Sequence, residues 1–399
     1  MDTSRDRADA LSADEHRARW FTARRTAERL LSGPRPQTVR ERLAALAALG
    51  TPDPAAATSP IAPAGPGDDL DLDLLLDGRP DQYGDGPVRV LERRVAALLG
   101  TADAAYFPTG TMAQQAALQH WADLDGGRTV AMHPLAHPER HERRAYSRLS
   151  GLRAVWPTTA PRLPTAEEVR SLDEEFGTLM LELPLREAGF VLPTWEELTA
   201  TVAAARERGA RLHLDGARLW ESAPHFGRPP ADIAALFDSV YVSCYKSLGA
   251  VSGALVAGDE GFVRGVRAWR HRYGGQLFQQ WPAVLSALAG LDRELPRLDD
   301  YVTHARTVAE ALAELPGARI NPAPPHTHQF QLWLPHPAEA LDRAGLRLAE
   351  EEGIALFGTW TDPGLPPGWS MTEVTVAGPA LDWTPKEVTE AGTALLALL

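Results

Sequence analysis

The stretch 211–258 constrains this chain most, because it holds an acidic residue and a lysine that each follow an apolar run. The first run, 212–214, leads into Asp215, and the second, 239–243, is followed by Lys246. A lysine amine in an apolar pocket can lose its proton and form a Schiff base with a carbonyl group. A carboxylate nearby can keep a ring nitrogen protonated, so that the ring withdraws electrons. The stretch therefore predicts chemistry on a carbonyl cofactor.

The composition is that of an ordinary globular protein without a polyanionic partner. The 399 residues carry a net charge of −13 at pH 7, whereas nucleic-acid binding usually requires a basic surface. No run approaches the ~18 apolar residues of a membrane span, and 1–33 lacks the apolar centre of a secretory signal. Cys244 is the single cysteine, so no internal disulfide can form. These features predict a cytoplasmic location, with neither nucleic acid nor membrane as a partner.

The first part of the chain, 1–68, predicts a helical extension and a linker. A helix over 4–31 ends before a Gly-Pro pair, and a second helix covers 37–49. Residues 51–69 are rich in proline, alanine, glycine and threonine, as linkers are. The apolar face of the first predicted helix consists of Trp20, Phe21, Ala27, Leu30 and Leu31.

The remainder of the chain predicts two domains of different character. Over 69–290, short apolar runs alternate with helices of ~10–15 residues. This pattern predicts an α/β fold, in which a large domain has three αβα layers around a mainly parallel sheet. After residue 318 apolar and polar residues alternate, so that HQFQLWLP predicts a half-exposed strand. A smaller α+β domain is therefore predicted over 291–399. The elements predicted individually include a helix over 88–99 after Pro87, helices over 165–176 and 196–208, the last capped by Thr194, a helical break near Pro296 and a strand over 354–360.

Several residues that follow the predicted strands lie where ligands of parallel sheets bind. The turn 108–111, with the sequence PTGT, also precedes a helix predicted over 112–124. The first N–H groups of such a helix favour a phosphate. The residues at the predicted strand ends are Gly110, His137, Glu182, Asp215 and Lys246.

Three histidines are spaced by four residues, as metal-binding histidines on a helix can be: His133, His137 and His141. Pro134 and Pro138 exclude a regular helix over this segment. The sequence therefore predicts no metal site.

Four ordered motifs over 81–275 resemble the low-specificity threonine aldolases. These enzymes belong to the β-eliminating lyase group of pyridoxal-phosphate (PLP) enzymes with the aspartate-aminotransferase-like fold (fold type I). The resemblance implies a PLP-dependent transferase-like large domain, PLP as cofactor and a small amino acid as substrate. It also implies a homodimer or homotetramer. The motifs are YGDGPVRVLERRVAALLG, AYFPTGTMAQQAAL, HLDGARLWES and SVYVSCYKSLGAVSGALVAG.

The resemblance gives roles to the residues of the last three motifs. Lys246 is implied to form the Schiff base and Asp215 to pair with the pyridinium nitrogen. Arg218 is implied to bind the substrate carboxylate or to lie beside the ring oxygen. Gly110 and Thr111 are implied to hold the phosphate.

Other residues match family positions more loosely. His137 is implied to stack on the PLP ring, although His133 or His141 also lies close enough in sequence to do so. Glu182 and Tyr83 are implied to help bind the substrate, Tyr83 from a turn near the subunit boundary. A glutamate, Glu142, matches a family glutamate five residues after His137.

The chain departs from the family on the substrate side of the site. The region 69–79 lacks the Arg-Ser-Asp-Thr stretch, and Leu185 stands where the family has a second histidine. The segments 274–279 and 369–374 lack the family arginines. We therefore expect a rebuilt substrate pocket, in which His137, His133 or a water acts as base.

The leading prediction is cleavage of the Cα–Cβ bond of a β-hydroxy-α-amino acid to glycine and an aldehyde, through a Schiff base at Lys246. An alternative is β-elimination from a β-substituted amino acid, which needs no base for a β-hydroxyl group. A second alternative is an α/β binding protein without catalytic activity.

Overall fold

The computed structural model describes residues 13–49, 75–364 and 366–399. The predicted linker and the first residues of the first predicted helix lie outside these ranges. The described chain forms two compact units, one of the residues up to Arg42 together with Asp300–Leu399, and one of Leu43–Asp299. The boundaries predicted near residues 68 and 290 stay predictions.

The strands of the described ranges are short, and the helices between them vary in length. The strands are β1 (Arg29–Leu30), β2 (Asp103–Phe107), β3 (Thr129–Ala131), β4 (Arg153–Val155), β5 (Thr178–Glu182), β6 (Arg211–Asp215), β7 (Ser239–Ser243), β8 (Ala254–Gly258), β9 (Arg319–Asn321), β10 (Gln329–Leu334), β11 (Ile354–Ala355) and β12 (Ser370–Thr375). The helices are α1 (Ala13–Thr26), α2 (Val39–Ala47), α3 (Pro87–Leu99), α4 (Gly110–Asp125), α5 (His137–Arg140), α6 (Ala145–Ser150), α7 (Ala166–Arg170), α8 (Trp195–Glu207), α9 (Leu219–Phe226), α10 (Pro230–Ala234), α11 (Glu260–Arg272), α12 (Trp281–Arg293), α13 (Leu298–Ala313), α14 (Ala338–Glu352) and α15 (Pro385–Ala397).

A seven-stranded sheet in the order β2-β8-β7-β6-β5-β3-β4 organises the unit Leu43–Asp299. β8 is antiparallel to β2 and β7, and the other neighbours are parallel to one another. Helices cover the sheet, so the α/β fold and the mainly parallel sheet are confirmed. The register pairs Glu182 with Asp215 and Asp215 with Tyr241. Since side chains in register on neighbouring strands share one face, these three residues meet at the carboxyl ends of β5, β6 and β7.

Small residues on α4 allow this helix to lie close to the sheet. Ala113 and Ala117 are fully buried against β2 and β8 in one apolar cluster. In the same cluster Trp121 and Phe262 stack with ring centroids 4.7 Å apart. Such an aromatic pair contributes about 0.5–1.5 kcal/mol beyond its buried area. The packing fixes the start of α4 beside the ends of the central strands.

Capping side chains confirm several predicted helix ends. The Thr109 hydroxyl accepts a hydrogen bond from the backbone N–H of Met112 and so caps α4. Thr194 and Glu197 form a capping box at the start of α8, and Pro87 occupies the first turn of α3. A short 3-10 turn over Leu295–Arg297 separates α12 from α13 near the predicted break.

The second unit contains an antiparallel sheet, β12-β10-β9, and a parallel strand pair, β1-β11. Trp20, Ala23 and Ala27 of the N-terminal segment pack against Leu346 and Ala349 of α14. None of the helices in the described ranges is both long and apolar enough to cross a membrane.

Two predictions about this unit were wrong. The first predicted helix ends at Thr26, and Leu30 forms part of β1, because the backbone pairs with the strand Ile354–Ala355 instead. The strand β10 is almost wholly buried rather than half-exposed. Its glutamines are buried because their amides find partners, Gln329 at Thr375 and Gln331 at Asn321.

Two other elements are shorter than predicted. The helix predicted over 165–176 ends at Arg170. The guanidinium of Arg208 donates hydrogen bonds to the carbonyls of Val169 and Glu174, which a longer helix would use for its own N–H groups. The strand predicted over 354–360 contains Ile354–Ala355 alone.

Candidate active site

A small cavity lies at the carboxyl ends of β5, β6 and β7. Its lining contains four of the residues predicted from the sequence, brought together from three strand ends and the short helix α5. The lining residues are Gln114, His137, Glu142, Glu182, Asp215, Ala217, Tyr241 and Lys246.

Asp215 presents a buried carboxylate to this cavity. One of its oxygens, Oδ1, accepts a hydrogen bond from the backbone N–H of Ala217 at 3.1 Å. Burial raises the pKa of Asp215, although the positive charges of Lys246 and His137 oppose that effect. A buried carboxylate beside such a cavity fits a protonated ring nitrogen, which would compensate its charge.

Lys246 lies three residues beyond the end of β7, in a tight turn closed by the N–H of Gly249. Burial and the positive charge of Arg218 lower the pKa of Lys246 to about 8, against the opposing negative charges of Asp215 and Glu182. The amine is therefore available in its neutral form near neutral pH, as attack on a carbonyl group requires.

His137 is held by two carboxylates. Its backbone N–H donates to Glu182 Oε2 at 2.7 Å, and its Nδ1 lies 3.2 Å from Glu142 Oε1. Gln115 Nε2 donates to the other oxygen of Glu142 at 3.1 Å. Burial alone lowers the pKa of His137, but the hydrogen bond to Glu142 and the charge of Asp215 outweigh it and raise that pKa. Pro138 is accommodated in the first turn of the four-residue helix α5.

Glu182 is a buried carboxylate that joins two loops. Its oxygens accept the backbone N–H groups of His137 and Arg186, at 2.7 and 3.2 Å. Burial, together with the neighbouring charge of Asp215, raises the pKa of Glu182 to about 7. Its position at the cavity is compatible with the predicted substrate contact, but its hydrogen bonds go to the backbone.

Arg218 precedes α9 and places its guanidinium over the ring of Phe190, 5.2 Å from the centroid. Its buried Nε has no hydrogen-bond partner among the described residues. Because its charge lowers the pKa of Lys246, this cation lies within electrostatic range of the lysine. An anionic group of a ligand would supply the partner that Nε lacks.

Gly110 begins α4 and lies against the hydroxyl of Tyr241. A Cβ atom added at this glycine would be 2.2 Å from that oxygen, so only glycine fits. Thr111 follows it in the exposed first turn. The first N–H groups of this 16-residue helix, which begins beside Tyr241 of the cavity lining, fit the phosphate of PLP.

Six of the predicted candidates do not line the cavity: Gly110, Thr111 and Arg218, described above, and Tyr83, His133 and His141. Tyr83 is 58% exposed and packs edge-to-face on Phe278, so its predicted substrate contact stays a prediction. Both ring nitrogens of His133 are engaged, one with the carbonyl of Ala160 and one with a backbone N–H, which removes it as a base. His141 pairs instead with Glu187 at 2.8 Å.

Sequence reasoning missed two lining residues, Gln114 and Tyr241. Gln114 is four residues beyond Gly110 on a predicted helix, so the two share a helix face, a signal that could have identified it. Tyr241 shares one face of β7 with Ser239 and Ser243, but its place beside Gly110 depends on the order of the strands. Leu185, which stands where the family has a histidine, is buried.

Comparisons with known proteins agree with this geometry. The β-eliminating lyase family matches residues 77–333. A solved structure from Exiguobacterium sp. 255-15, described as a candidate aromatic amino acid β-eliminating lyase/threonine aldolase, is 34% identical and has a TM-score of 0.82. It covers 96% of this chain and 100% of its own length. A candidate L-allo-threonine aldolase from Listeria monocytogenes EGD-E is 31% identical, with the same TM-score and coverage.

Curated relatives point to the same group. The low-specificity L-threonine aldolase 1 of Arabidopsis thaliana is 26% identical over 68% of this chain and 79% of its own length. Because the family match spans more than half of the chain, the resemblance found in the four motifs is confirmed. The chain belongs to the β-eliminating lyase family and is a PLP-dependent lyase.

Proposed function

We propose that this lyase cleaves the Cα–Cβ bond of a β-hydroxy-α-amino acid, giving glycine and an aldehyde. The observation that carries the proposal is that His137, held by Glu142, faces the same cavity as Lys246 and Asp215. A β-hydroxyl group must lose its proton as the bond breaks, and this imidazole is the group in the cavity suited to accept it.

Different residues in and beside the cavity would hold different parts of PLP. When bound, PLP supplies an electron sink for the electron pair left at Cα. Asp215 would hold the proton of the ring nitrogen, and Lys246 would offer its neutral amine to the aldehyde. Gly110 and Thr111 would bind the phosphate through the first N–H groups of α4.

The hydrogen bond to Glu142 determines how His137 can act. Since a carboxylate oxygen accepts, Nδ1 carries the proton, and Nε2 of the neutral ring keeps its lone pair. Nε2 would take the proton of the substrate hydroxyl and later return it. Glu142 would stabilise the imidazolium formed between these events.

Arg218 would bind the substrate carboxylate and so align the bond that breaks. The family arginines are absent from 274–279 and 369–374, which leaves this cation, with its unpartnered Nε, as the one that the motif provides. Charge-assisted hydrogen bonds from a guanidinium orient a carboxylate strongly.

Product analysis tests the proposal. The full-length chain supplied with PLP should release glycine and an aldehyde in equal amounts from L-allo-threonine or β-phenylserine. Lys246→Ala should abolish this release, and Lys386→Ala, which changes the other lysine of the chain, should retain it. Absence of aldehyde from every β-hydroxy amino acid tested would refute the proposal.

The alternative reaction, β-elimination, is favoured by one observation. The buried Leu185 replaces a family histidine, so the pocket lacks one group that would handle a β-hydroxyl. Pyruvate and ammonia from β-substituted alanines, without aldehyde from β-hydroxy substrates, would establish this alternative. The family assignment removes the non-catalytic alternative.

A homodimer or homotetramer and a cytoplasmic location remain proposals. They are supported by the resemblance to enzymes that assemble in this way and by the single cysteine, Cys244, which cannot form an internal disulfide. Sedimentation velocity of the purified chain measures the oligomeric state directly.

A further inference from the structure

Gln114 has a buried side-chain amide, of which only the oxygen has a hydrogen-bond partner among the described residues. It lies in the second turn of α4, is 1% exposed and lines the cavity beside Asp215 and Lys246. Its Nε2 has no hydrogen-bond partner among the described residues. A buried N–H group without an acceptor costs stability unless a ligand or water supplies one.

The other end of this amide is fixed by a chain of buried side chains. Gln114 Oε1 lies 2.7 Å from His213 Nε2, and His213 Nδ1 lies 2.8 Å from Ser239 Oγ. Trp121 Nε1 donates to the same Ser239 oxygen at 2.9 Å. The chain, Trp121–Ser239–His213–Gln114, runs from the helix–sheet core to the cavity.

The protons of this chain can be assigned from its donors. Burial lowers the pKa of His213 to about 3, so its ring is neutral and carries one N–H. Trp121 can only donate, which leaves the Ser239 hydroxyl proton for His213 Nδ1. His213 Nε2 then carries the ring proton and donates to Gln114 Oε1. The opposite orientation of the amide would leave the buried Ser239 proton without an acceptor.

This assignment directs the two N–H bonds of Gln114 into the cavity. His213 and Asp215 are two residues apart on β6 and therefore share one face of the sheet. Gln114 is also one turn beyond Gly110, where the phosphate site is proposed. Its amide thus lies between the groups proposed to hold the two ends of PLP.

We propose that Gln114 donates a hydrogen bond to an oxygen of the bound cofactor, and that His213 and Ser239 act as positioning residues that hold its amide in the donating orientation. The inference rests on the proposed PLP site. The acceptor is an anionic oxygen, either the ring oxygen or a phosphate oxygen.

The test measures binding rather than turnover. The probe is 4-deoxypyridoxine 5′-phosphate, a PLP analogue without the aldehyde, so that Lys246 forms no covalent bond and non-covalent contacts alone are measured. Gln114→Leu should bind it about tenfold more weakly or worse, since one hydrogen bond to a charged acceptor is lost. Gln114→Glu keeps the shape of the side chain and should bind it more weakly still, because a carboxylate repels the acceptor.

A matched control lies on the same helix. Gln119 is also buried, but its amide donates to Asp123 Oδ1 at 2.6 Å. Gln119→Leu should bind the probe as the parent chain does. Ser239→Ala removes the hydroxyl group that determines which nitrogen of His213 carries the proton, so the Gln114 amide is held less firmly. The affinity for the probe should therefore fall, but by less than in Gln114→Leu.

The outcomes separate this inference from the proposed function. A parent chain that binds neither PLP nor the probe would refute the PLP site itself. A parent that binds, with Gln114→Leu and Gln114→Glu equal to it or with Gln119→Leu equally impaired, would overturn the role of Gln114. Repeating the comparison with 4-deoxypyridoxine locates the acceptor. A loss that persists without the phosphate identifies the ring oxygen, and a loss that disappears identifies a phosphate oxygen.

Discussion

At the scale of single residues, burial separates the two lysines of the chain. Lys386 has a side chain that is 83% exposed and pairs with Glu390. Lys246 lies in a cavity with Asp215, where burial and the charge of Arg218 lower its pKa. Identical side chains therefore differ in nucleophilicity near neutral pH.

The lowered pKa gives a prediction for the reaction of Lys246 with PLP. A lysine amine attacks an aldehyde only when it is neutral. The rate at which PLP attaches to Lys246, measured after trapping with borohydride, should therefore rise with pH along a curve whose midpoint is about pH 8. Arg218→Met removes a nearby positive charge, which raises the pKa of Lys246 and should move the midpoint to higher pH. Peptide mass spectrometry resolves the two lysines. An unchanged midpoint in Arg218→Met would contradict this account.

The same scale shows what sequence reasoning could find. Asp215, Lys246 and His137 follow strands, and strand ends converge in a parallel sheet, so their meeting was predictable. The partner of Gln114 was not predictable, because His213 belongs to a distant segment and its place depends on which strands are neighbours. Glu142, five residues after His137, was found in the sequence as a family match, but its hydrogen bond to His137 was not.

At the scale of elements, the contact between the start of α4 and β7 leaves no space for a side chain at residue 110. A Cβ added at Gly110 would lie 2.2 Å from the Tyr241 hydroxyl and 3.1 Å from its ring carbon. The turn proposed to bind the phosphate and the central sheet are therefore one packed unit.

We expect Gly110→Ala to destabilise the chain by about 1–3 kcal/mol, the usual effect of overpacking, and to weaken PLP binding. The double variant Gly110→Ala/Tyr241→Phe removes the clashing oxygen and should recover part of that stability. Gly358→Ala is the control, because an added Cβ there meets no atom within 4 Å. Chemical denaturation measures the three variants, and a double variant as unstable as the single one would show that the hydroxyl is not the obstacle.

Element boundaries were predicted well where local chemistry sets them and poorly where distant partners do. The caps of α4 and α8 involve residues within three positions of each other, so the sequence contains the whole interaction. The strand β1 exists because Ile354–Ala355 pairs with it from more than three hundred residues away. The local apolar periodicity predicted a helix through Leu30, because this pattern contains no information about the partner strand.

At the scale of the whole molecule, the beginning of the chain belongs to the unit that contains its end. Ala23 and Ala27 are buried against α14, while Ala18 of the same helix is exposed. The N-terminal segment is thus part of an apolar core rather than an appendage to the unit that holds the cavity.

Ala23→Asp should therefore destabilise that unit by about 3 kcal/mol or more, because it buries a charge without a partner. Ala18→Asp places the same side chain on the exposed face of α1 and should change stability by no more than about 0.5 kcal/mol. Thermal unfolding, monitored by circular dichroism, compares the stability of the two variants. Equal effects would show that the apolar cluster contributes nothing to stability.

Glu182 and Asp215 are neighbours in register on β5 and β6, so two carboxyl groups that can bind protons lie side by side at the cavity. The pKa of Glu182, about 7, and that of Lys246, about 8, bring both groups within reach of titration near neutral pH, and burial raises the pKa of Asp215 beside them. A cationic ring placed among them favours two charged carboxylates and so expels protons to solvent. If PLP binds as proposed, we therefore expect its binding to be linked to proton exchange, so that its affinity changes with pH.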